Sequence, residues 1–226
     1  MPIELLPERS SVVQDYAKAI YSLECRSDEP VGNNQLAERL GVPAGTASAM
    51  VKRLDELGLA EHTPYHGVRL TAAGRRVALR TLRRHRLLEL FLTETLDLPW
   101  DRVHQEAELL EHSLSYELEA AIAERLGNPT HDPHGDPIPS AELEFEEPDT
   151  VSLAQLETGA EGRFVRVSDA DPAVLRHLGE RGVKPGQWLR LVEREPFGGS
   201  LVVRLGRRTE SLGPEIARSM RVEPSA

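Results

Sequence analysis

The stretch NNQLAERLGVPAGTASAMVKRLDELGLAEH, residues 33–62, leaves its chain few ways to fold. A short helix over Gln35–Leu40 stops at Gly41, a residue that readily takes the left-handed backbone closing a helix. VPAG then makes a tight connection, and Thr46–Leu57 forms a second helix with Ala47, Val51 and Leu54 turned inward. Helix, short turn and helix is the arrangement that lays its second helix in the major groove of DNA. The next segment, LAEHTPYHGVRLTAAGRR, adds a strand, a turn at His66–Gly67, a return strand over Val68–Leu70 and a new helix from Thr71, which is the layout of a wing. Upstream, SVVQDYAKAIYSLECR sets Val13, Tyr16, Ala17, Ile20 and Leu23 at helical spacing before SDEPVG breaks the run.

On the second helix, Thr46 and Ser48 are placed to meet base edges or phosphates, and Gln35, Lys52 and Arg53 to hold the DNA backbone. Ala44, Gly45, Ala47 and Ala49 offer few base-specific hydrogen bonds, so sequence preference would rest on thymine methyl contacts and DNA shape. A net charge of −10 argues against nucleic acid only if it is evenly spread. It is not: residues 1–86 carry 13 basic and 10 acidic side chains, residues 87–150 carry 2 and 17, and residues 151–226 carry 12 and 10. A mildly basic first segment can face phosphate while the acidic middle collects cations.

That acidic middle is helical. RRVALRTLRRHRLLELFLTETLDL presents Leu79, Leu82, Leu87, Leu90 and Phe91 on one side, and a second helix is predicted from Asp101 to about Leu126, ending at Gly127. Two such helices have more apolar surface than a wing domain can cover, which predicts a symmetric homodimer. Within HQEAELLEH, residues 104–112, His104, Glu108, Glu111 and His112 fall on one helical face, and His85 and Glu89 stand one turn apart on the preceding helix. If the helices pack antiparallel, His85, Glu89 and His104 meet at one level, with Glu108, Glu111 and His112 further along. Carboxylate and imidazole without thiolate suit Mn²⁺ or Fe²⁺ rather than structural zinc.

The segment THDPHGDPIPSAELEFEEPDTVS reads as a proline-rich acidic linker in which His131 and His134 are polar turn residues rather than ligands. Beyond it, GRFVRVS, QWLRLVER, SLVVRLGRR and MRVEP alternate as short strands around one helix near Ala173–Leu178, predicting a compact SH3-like β-barrel. The lone Cys25 permits no internal disulfide, the first residues lack a secretory pattern, and no apolar run reaches membrane-spanning length, all consistent with a cytoplasmic chain without a membrane partner. The predicted fold is mainly α with a small β content: a winged helix-turn-helix over 1–75, a helical metal-binding and dimerisation domain over 76–148, and the barrel over 149–226.

The helix-turn-helix and wing, RHRLLELFL, VHQEAELLEH, the PHGDPIP linker and the terminal barrel, in this order, resemble the diphtheria-toxin-repressor family of metal-dependent transcriptional regulators, including its manganese-responsive branch. The resemblance implies a non-enzymatic homodimer that binds palindromic operator DNA when loaded with Mn²⁺ or Fe²⁺ and represses metal-homeostasis genes. It also implies a primary metal site of Asp15, Glu108, Glu111 and His112, an ancillary site of His85, Glu89 and His104, and a FeoA-like terminal domain that adds oxygen ligands, with Asp171 the nearest counterpart. In iron-responsive members the positions matching Asp15 and Glu108 hold methionine and cysteine; oxygen at both tilts the choice toward manganese. Members with a two-metal cluster carry a carboxylate where this chain has Lys18. Two other readings compete. One is a winged-helix regulator that senses no metal. The other is a di-iron carboxylate enzyme, which would need Glu-x-x-His pairs on four helices.

Overall fold

The computed structural model describes residues 10–146 and 149–225. The first residues, on which the reading of the leader rests, and the pair at 147–148, at the predicted boundary of the last domain, lie outside the described residues. The chain divides into two compact units: Met1–His85 with Glu108–Glu119 and Pro139–Glu144, and Arg86–Ala107 with Ala120–Ile138 and Phe145–Ala226. No described helix is long and apolar enough to cross a membrane.

In the first unit, α1 (Ser11–Glu24), α2 (Asn33–Leu40) and α3 (Ala44–Glu56) precede the antiparallel pair β1 (Ala60–Thr63) and β2 (Gly67–Leu70). Gly41 closes α2 at φ 65°, the left-handed turn that lets α3 start three residues later. The inward residues of every element meet in one core: Val13, Tyr16 and Ile20 of α1, Leu36 of α2, Ala47, Val51 and Leu54 of α3, and Val68 of the wing. Val31 exchanges two 3.0 Å backbone hydrogen bonds with Val68, tying the wing back to the loop before α2. Each buried leucine or isoleucine in this core contributes roughly 1.5–3 kcal/mol of transfer free energy, enough to fix α1 against the reading helices.

The long helix α4 (Ala72–Leu96) follows the wing. The single helix predicted from Asp101 to Leu126 is instead two, α5 (Val103–Leu110) and α6 (Tyr116–Arg125). The break has a local cause. Ser113 N–H bonds back to Leu110 O at 3.0 Å, and Ser115 starts the next helix by accepting Leu118 N–H on its Oγ at 3.1 Å and Glu119 N–H on its carbonyl at 2.9 Å. Glu111 and His112 therefore sit in a turn and not on a continuous helical face. Buried Glu119 accepts from Arg80, Arg83 and Arg84 at 3.0–3.1 Å, anchoring α6 to α4 within this unit.

In the second unit, six strands, β3 (Val151–Ser152), β4 (Glu161–Val167), β5 (Trp188–Arg194), β6 (Leu201–Leu205), β7 (Arg208–Leu212) and β8 (Met220–Pro224), form one sheet in the order β3-β8-β4-β5-β6-β7. Helices α7 (Pro172–Glu180) and α8 (Pro214–Ser219) are inserted between strands. Phe164, Leu178, Leu191, Val203, Leu212 and Met220 make the core. The predicted barrel does not close among the described residues, because β3 and β7 remain at the two ends of the strand order. β3 has only two residues before a 3-10 turn at Leu153–Gln155, too few to pair on both sides.

The predicted linker is a pinned loop. Ile138 N–H bonds to Thr130 O at 2.8 Å, Asp132 N–H to Asp136 O at 3.0 Å, and Val167 N–H of β4 to His134 O at 2.9 Å. Gly135 has φ 87°, and a Cβ there would lie 1.8 Å from Val165 O, so only glycine lets the loop approach β4 this closely.

Candidate metal centre

Two groups of ligand-bearing side chains gather in the structure, one in each unit. In the first unit, Asp15 projects from α1 and its Oδ1 lies 3.0 Å from His112 Nε2. The other ring nitrogen of His112 meets Gln14 Oε1 at 2.8 Å; an amide oxygen only accepts, so Nδ1 carries the hydrogen and Nε2 faces Asp15. Asp15 holds the His112 imidazole above the ordinary histidine value. Glu111 is fully buried, with Oε1 on Lys18 Nζ at 2.6 Å and Oε2 on His85 Nδ1 at 2.6 Å. Glu108 shares the same ammonium at 2.8 Å.

Asp15, Glu111 and His112 thus offer ligand atoms within 4.8 Å of one another, and His85, Glu108 and Glu111 form an overlapping group. Sequence reasoning missed Gln14, the residue that fixes the His112 tautomer; nothing in the QDYA motif marks it. Lys18 is the second element of this geometry. Burial pulls its ammonium down, but Glu111 and then Glu108 outweigh burial and leave it above the usual lysine value.

In the second unit, Glu89 of α4 is buried and its Oε1 accepts from His104 Nδ1 at 3.3 Å. His104 Nδ1 also lies 2.9 Å from Asp169 Oδ2. Hydrogen bonds to Asp169 and then Glu89 push the His104 imidazole up to about 10. Asp169, not Asp171, is therefore the carboxylate that the terminal domain brings to this group. Asp171 is committed elsewhere, its Oδ1 capping α7 by accepting Ala173 N–H at 2.8 Å. The signal was present in the sequence: Asp followed by Pro at the first helical position marks an N-cap, which removes Asp171 from candidacy and leaves Asp169 two residues earlier. His85, the remaining member of the predicted ancillary set, stands one turn before Glu89 on α4.

Both groups fit a divalent cation by donor chemistry. They combine buried carboxylate and imidazole without sulfur, and His112 is held in one orientation by a hydrogen bond on its far nitrogen, as metal-bound histidines usually are.

The predicted DNA-contacting residues lie on α2 and α3. Thr46, Lys52 and Arg53 are exposed, with Arg53 Nη1 at 3.5 Å from Glu56 Oε2. Ser48 is half-buried and its Oγ accepts from Asn33 Nδ2 at 3.0 Å. Gln35 Oε1 accepts Gly32 N–H at 3.0 Å and so caps its own helix.

Comparison with known proteins agrees with this construction. Residues 9–68 match the family described as iron dependent repressor, N-terminal DNA binding domain. Residues 71–140 match iron dependent repressor, metal binding and dimerisation domain, and residues 151–224 match the FeoA domain. The chain is 32% identical over 220 residues to the iron-dependent repressor IdeR of Mycobacterium tuberculosis, covering 92% of this chain and 95% of the relative. It is 30% identical over 218 residues to the diphtheria toxin repressor of Corynebacterium glutamicum, covering 92% and 94%. Among solved structures, a manganese-dependent transcriptional repressor in complex with manganese superposes with a TM-score of 0.86 at 42% identity, over 94% of this chain and 100% of the other. The structure of the manganese regulator SloR gives 0.73 at 31%, over 94% and 98%. These relatives are named as repressors or a regulator and not as enzymes, which sets aside the di-iron reading. The chain belongs to the diphtheria-toxin-repressor family of metal-dependent transcriptional repressors.

Proposed function

We propose that this protein is a manganese-activated repressor, a cytoplasmic homodimer whose paired reading heads bind a palindromic operator when the ligand sets are loaded. The observation that carries the reading is the 3.0 Å approach of Asp15 to His112. One belongs to the first helix of the DNA-reading core and the other to the turn between α5 and α6. Asp15, Glu108, Glu111 and His112 would hold the first ion, and Glu89, His104 and Asp169 the second. A bound divalent ion supplies positive charge that draws these carboxylates together. The chain's own residues do the rest. Gln14 presents the Nε2 lone pair of His112, Asp15 links ligand to reading core, and Lys18 neutralises Glu108 and Glu111 until the ion arrives.

Manganese is favoured over ferrous iron because every donor is a carboxylate oxygen or imidazole nitrogen. The manganese-bound neighbour supports the same choice, while the iron-dependent relatives keep ferrous iron as the second reading. Leu109, Leu110 and Leu118, 75%, 43% and 50% exposed in the single chain, supply an apolar surface for the dimer. Thr46, Lys52 and Arg53 present the groups for DNA.

The test is operator binding, followed by fluorescence anisotropy across buffered free concentrations of Mn²⁺ and Fe²⁺. Tight binding is expected only with metal, at lower free manganese than iron. Equal affinity with and without metal would favour the metal-independent winged-helix regulator instead. Affinity should also fall steeply with salt, as phosphate contacts require.

A further inference from the structure

The loop that reads as a solvated linker carries the least solvated histidine of the chain. His134 is 0% exposed, and Asp132 and Glu89 beside it are also buried. His134 Nε2 lies 2.9 Å from Trp100 O. A carbonyl oxygen can only accept, so Nε2 carries the hydrogen, and Nδ1 either holds a second proton or is a bare lone pair. That Nδ1 has no hydrogen-bond partner. It points to Glu89 Oε2 at 3.8 Å, and Glu89, Asp132 and His134 offer ligand atoms within 4.8 Å of one another.

A lone pair facing two buried carboxylates is an unfavourable arrangement, and something positive must resolve it. Local arginines answer only part of the charge. Arg86 Nη2 and Arg166 Nη1 lie 3.2 and 3.4 Å from Asp136, whereas the nearest guanidinium nitrogen recorded for Asp132, Arg86 Nε, is 4.0 Å away. A second proton on the imidazole is one answer, yet 3.8 Å is too long for an N–H···O bond. Two donors sharing one cation at ordinary bond lengths of about 2.0–2.2 Å stand roughly 3–4 Å apart. Asp132 Oδ1 is already held by the backbone N–H groups of His134 and Asp136, both at 2.9 Å, so the carboxylate is oriented without any ion.

We infer that Glu89, Asp132 and His134 form a third cation site, for a first-row divalent ion such as Mn²⁺, sharing only Glu89 with the sets proposed above. Glu89 serves both neighbours in the second unit: Oε1 faces His104 and Oε2 faces His134. An ion at the new site would tie the loop at 131–137 to α4, with the Trp100 carbonyl keeping the ring in ligating orientation.

The experiment counts manganese bound to the full-length protein after chelation and equilibrium dialysis against buffered Mn²⁺, by plasma mass spectrometry. His134→Phe and Asp132→Asn should each lower the count by one ion per chain, and Glu89→Gln by two. Asp132→Asn keeps the oxygen that accepts the two backbone hydrogens, so it guards against a folding defect in the bulkier change. Anomalous scattering at the manganese edge should show density between His134 Nδ1 and Glu89 Oε2. An unchanged count in both loop variants overturns the proposal and leaves a protonated histidine as the answer. His112→Ala separates the readings: loss of an ion in His134→Phe with none lost in His112→Ala keeps this site and sinks the primary set.

Discussion

The two ligand groups use nearly the same donors but are neutralised by different species. In the first unit, Glu108 and Glu111 close on the Lys18 ammonium at 2.8 and 2.6 Å. In the second, Glu89 is met by His104 and faces His134, so its positive neighbours here are imidazoles. A divalent ion entering the first group has to displace a tethered cation that keeps its charge at any physiological pH. One entering the second group displaces protons. Similar ligand chemistry can therefore answer to different competitors: a lysine sets a threshold nearly independent of pH, and histidines set one that moves with it. Here the ammonium already stands against both glutamates, which supports a single ion in the first group.

The comparison breaks most severely at Glu111. Removing a fully buried carboxylate takes the 2.6 Å partner from both Lys18, which keeps only Glu108, and buried His85. Glu111→Ala should cost about 3 kcal/mol or more of stability in the metal-free protein, read by urea unfolding, and should abolish metal-dependent operator binding. A variant that still binds operator only with manganese would remove Glu111 from the ligand set. Next comes the loop of the second unit. A methyl group at Gly135, at φ 87° and 1.8 Å from Val165 O, cannot be accommodated without moving the backbone. Gly135→Ala should destabilise the second unit by about 1–3 kcal/mol, measured by hydrogen exchange of β4 amides, with the α1–α3 amides unchanged. Equal loss of protection in both units would show that the loop's position matters to more than its own sheet. Smaller still is Lys18→Met, which removes the competitor and keeps the apolar stem. Measured calorimetrically in a Glu89→Gln background, the first group should bind manganese at least about tenfold more tightly, equivalent to about 1.4 kcal/mol. An unchanged affinity would mean the ammonium moves aside at no cost.

Much of this architecture was legible because it rests on local chemistry. Gly41, the spacing of Val51 and Leu54, and the His66–Gly67 turn encode the winged reading head in residues that are neighbours in sequence. The candidate ligand residues were legible as types: Glu108, Glu111, His112, Glu89 and His104 stand out from an acidic, histidine-bearing segment. Their partners were not. Gln14 touches His112 across 98 positions and Lys18 touches Glu111 across 93, and no periodicity reports a contact of that separation. The break at Ser113–Ser115 was hidden because apolar spacing continues across it, while the serine caps that cause it are weak signals in a helix-rich segment. His134 was misread in burial because proline, glycine and aspartate signal a turn without saying whether the turn is covered. Barrel closure depends on pairing between strands at opposite ends of the domain, which strand propensity does not determine.

The smallest expected effect separates the two groups by pH. His104 keeps its proton to about 10 in the folded, metal-free protein because Asp169 and Glu89 bond to it. Its unfolded value is the ordinary one, about 6.5. A folded value raised above the unfolded one means the charged ring stabilises the fold in full below about 6.5, and that contribution drains away as pH climbs through about 10. The His104 side chain is 42% exposed, so solvent screening holds the whole contribution within about 1 kcal/mol. His104→Gln should therefore cost a measurable but small stability at pH 6, seen by urea unfolding of the metal-free protein, and almost nothing near pH 10. Manganese binding to the second group should tighten over the same interval, because the ring must shed its proton to become a ligand. A His104→Gln penalty that stays constant from pH 6 to pH 10 would show that the ring acts through packing. The contrast between a proton-gated group and a lysine-gated one would then have to rest on Lys18 alone.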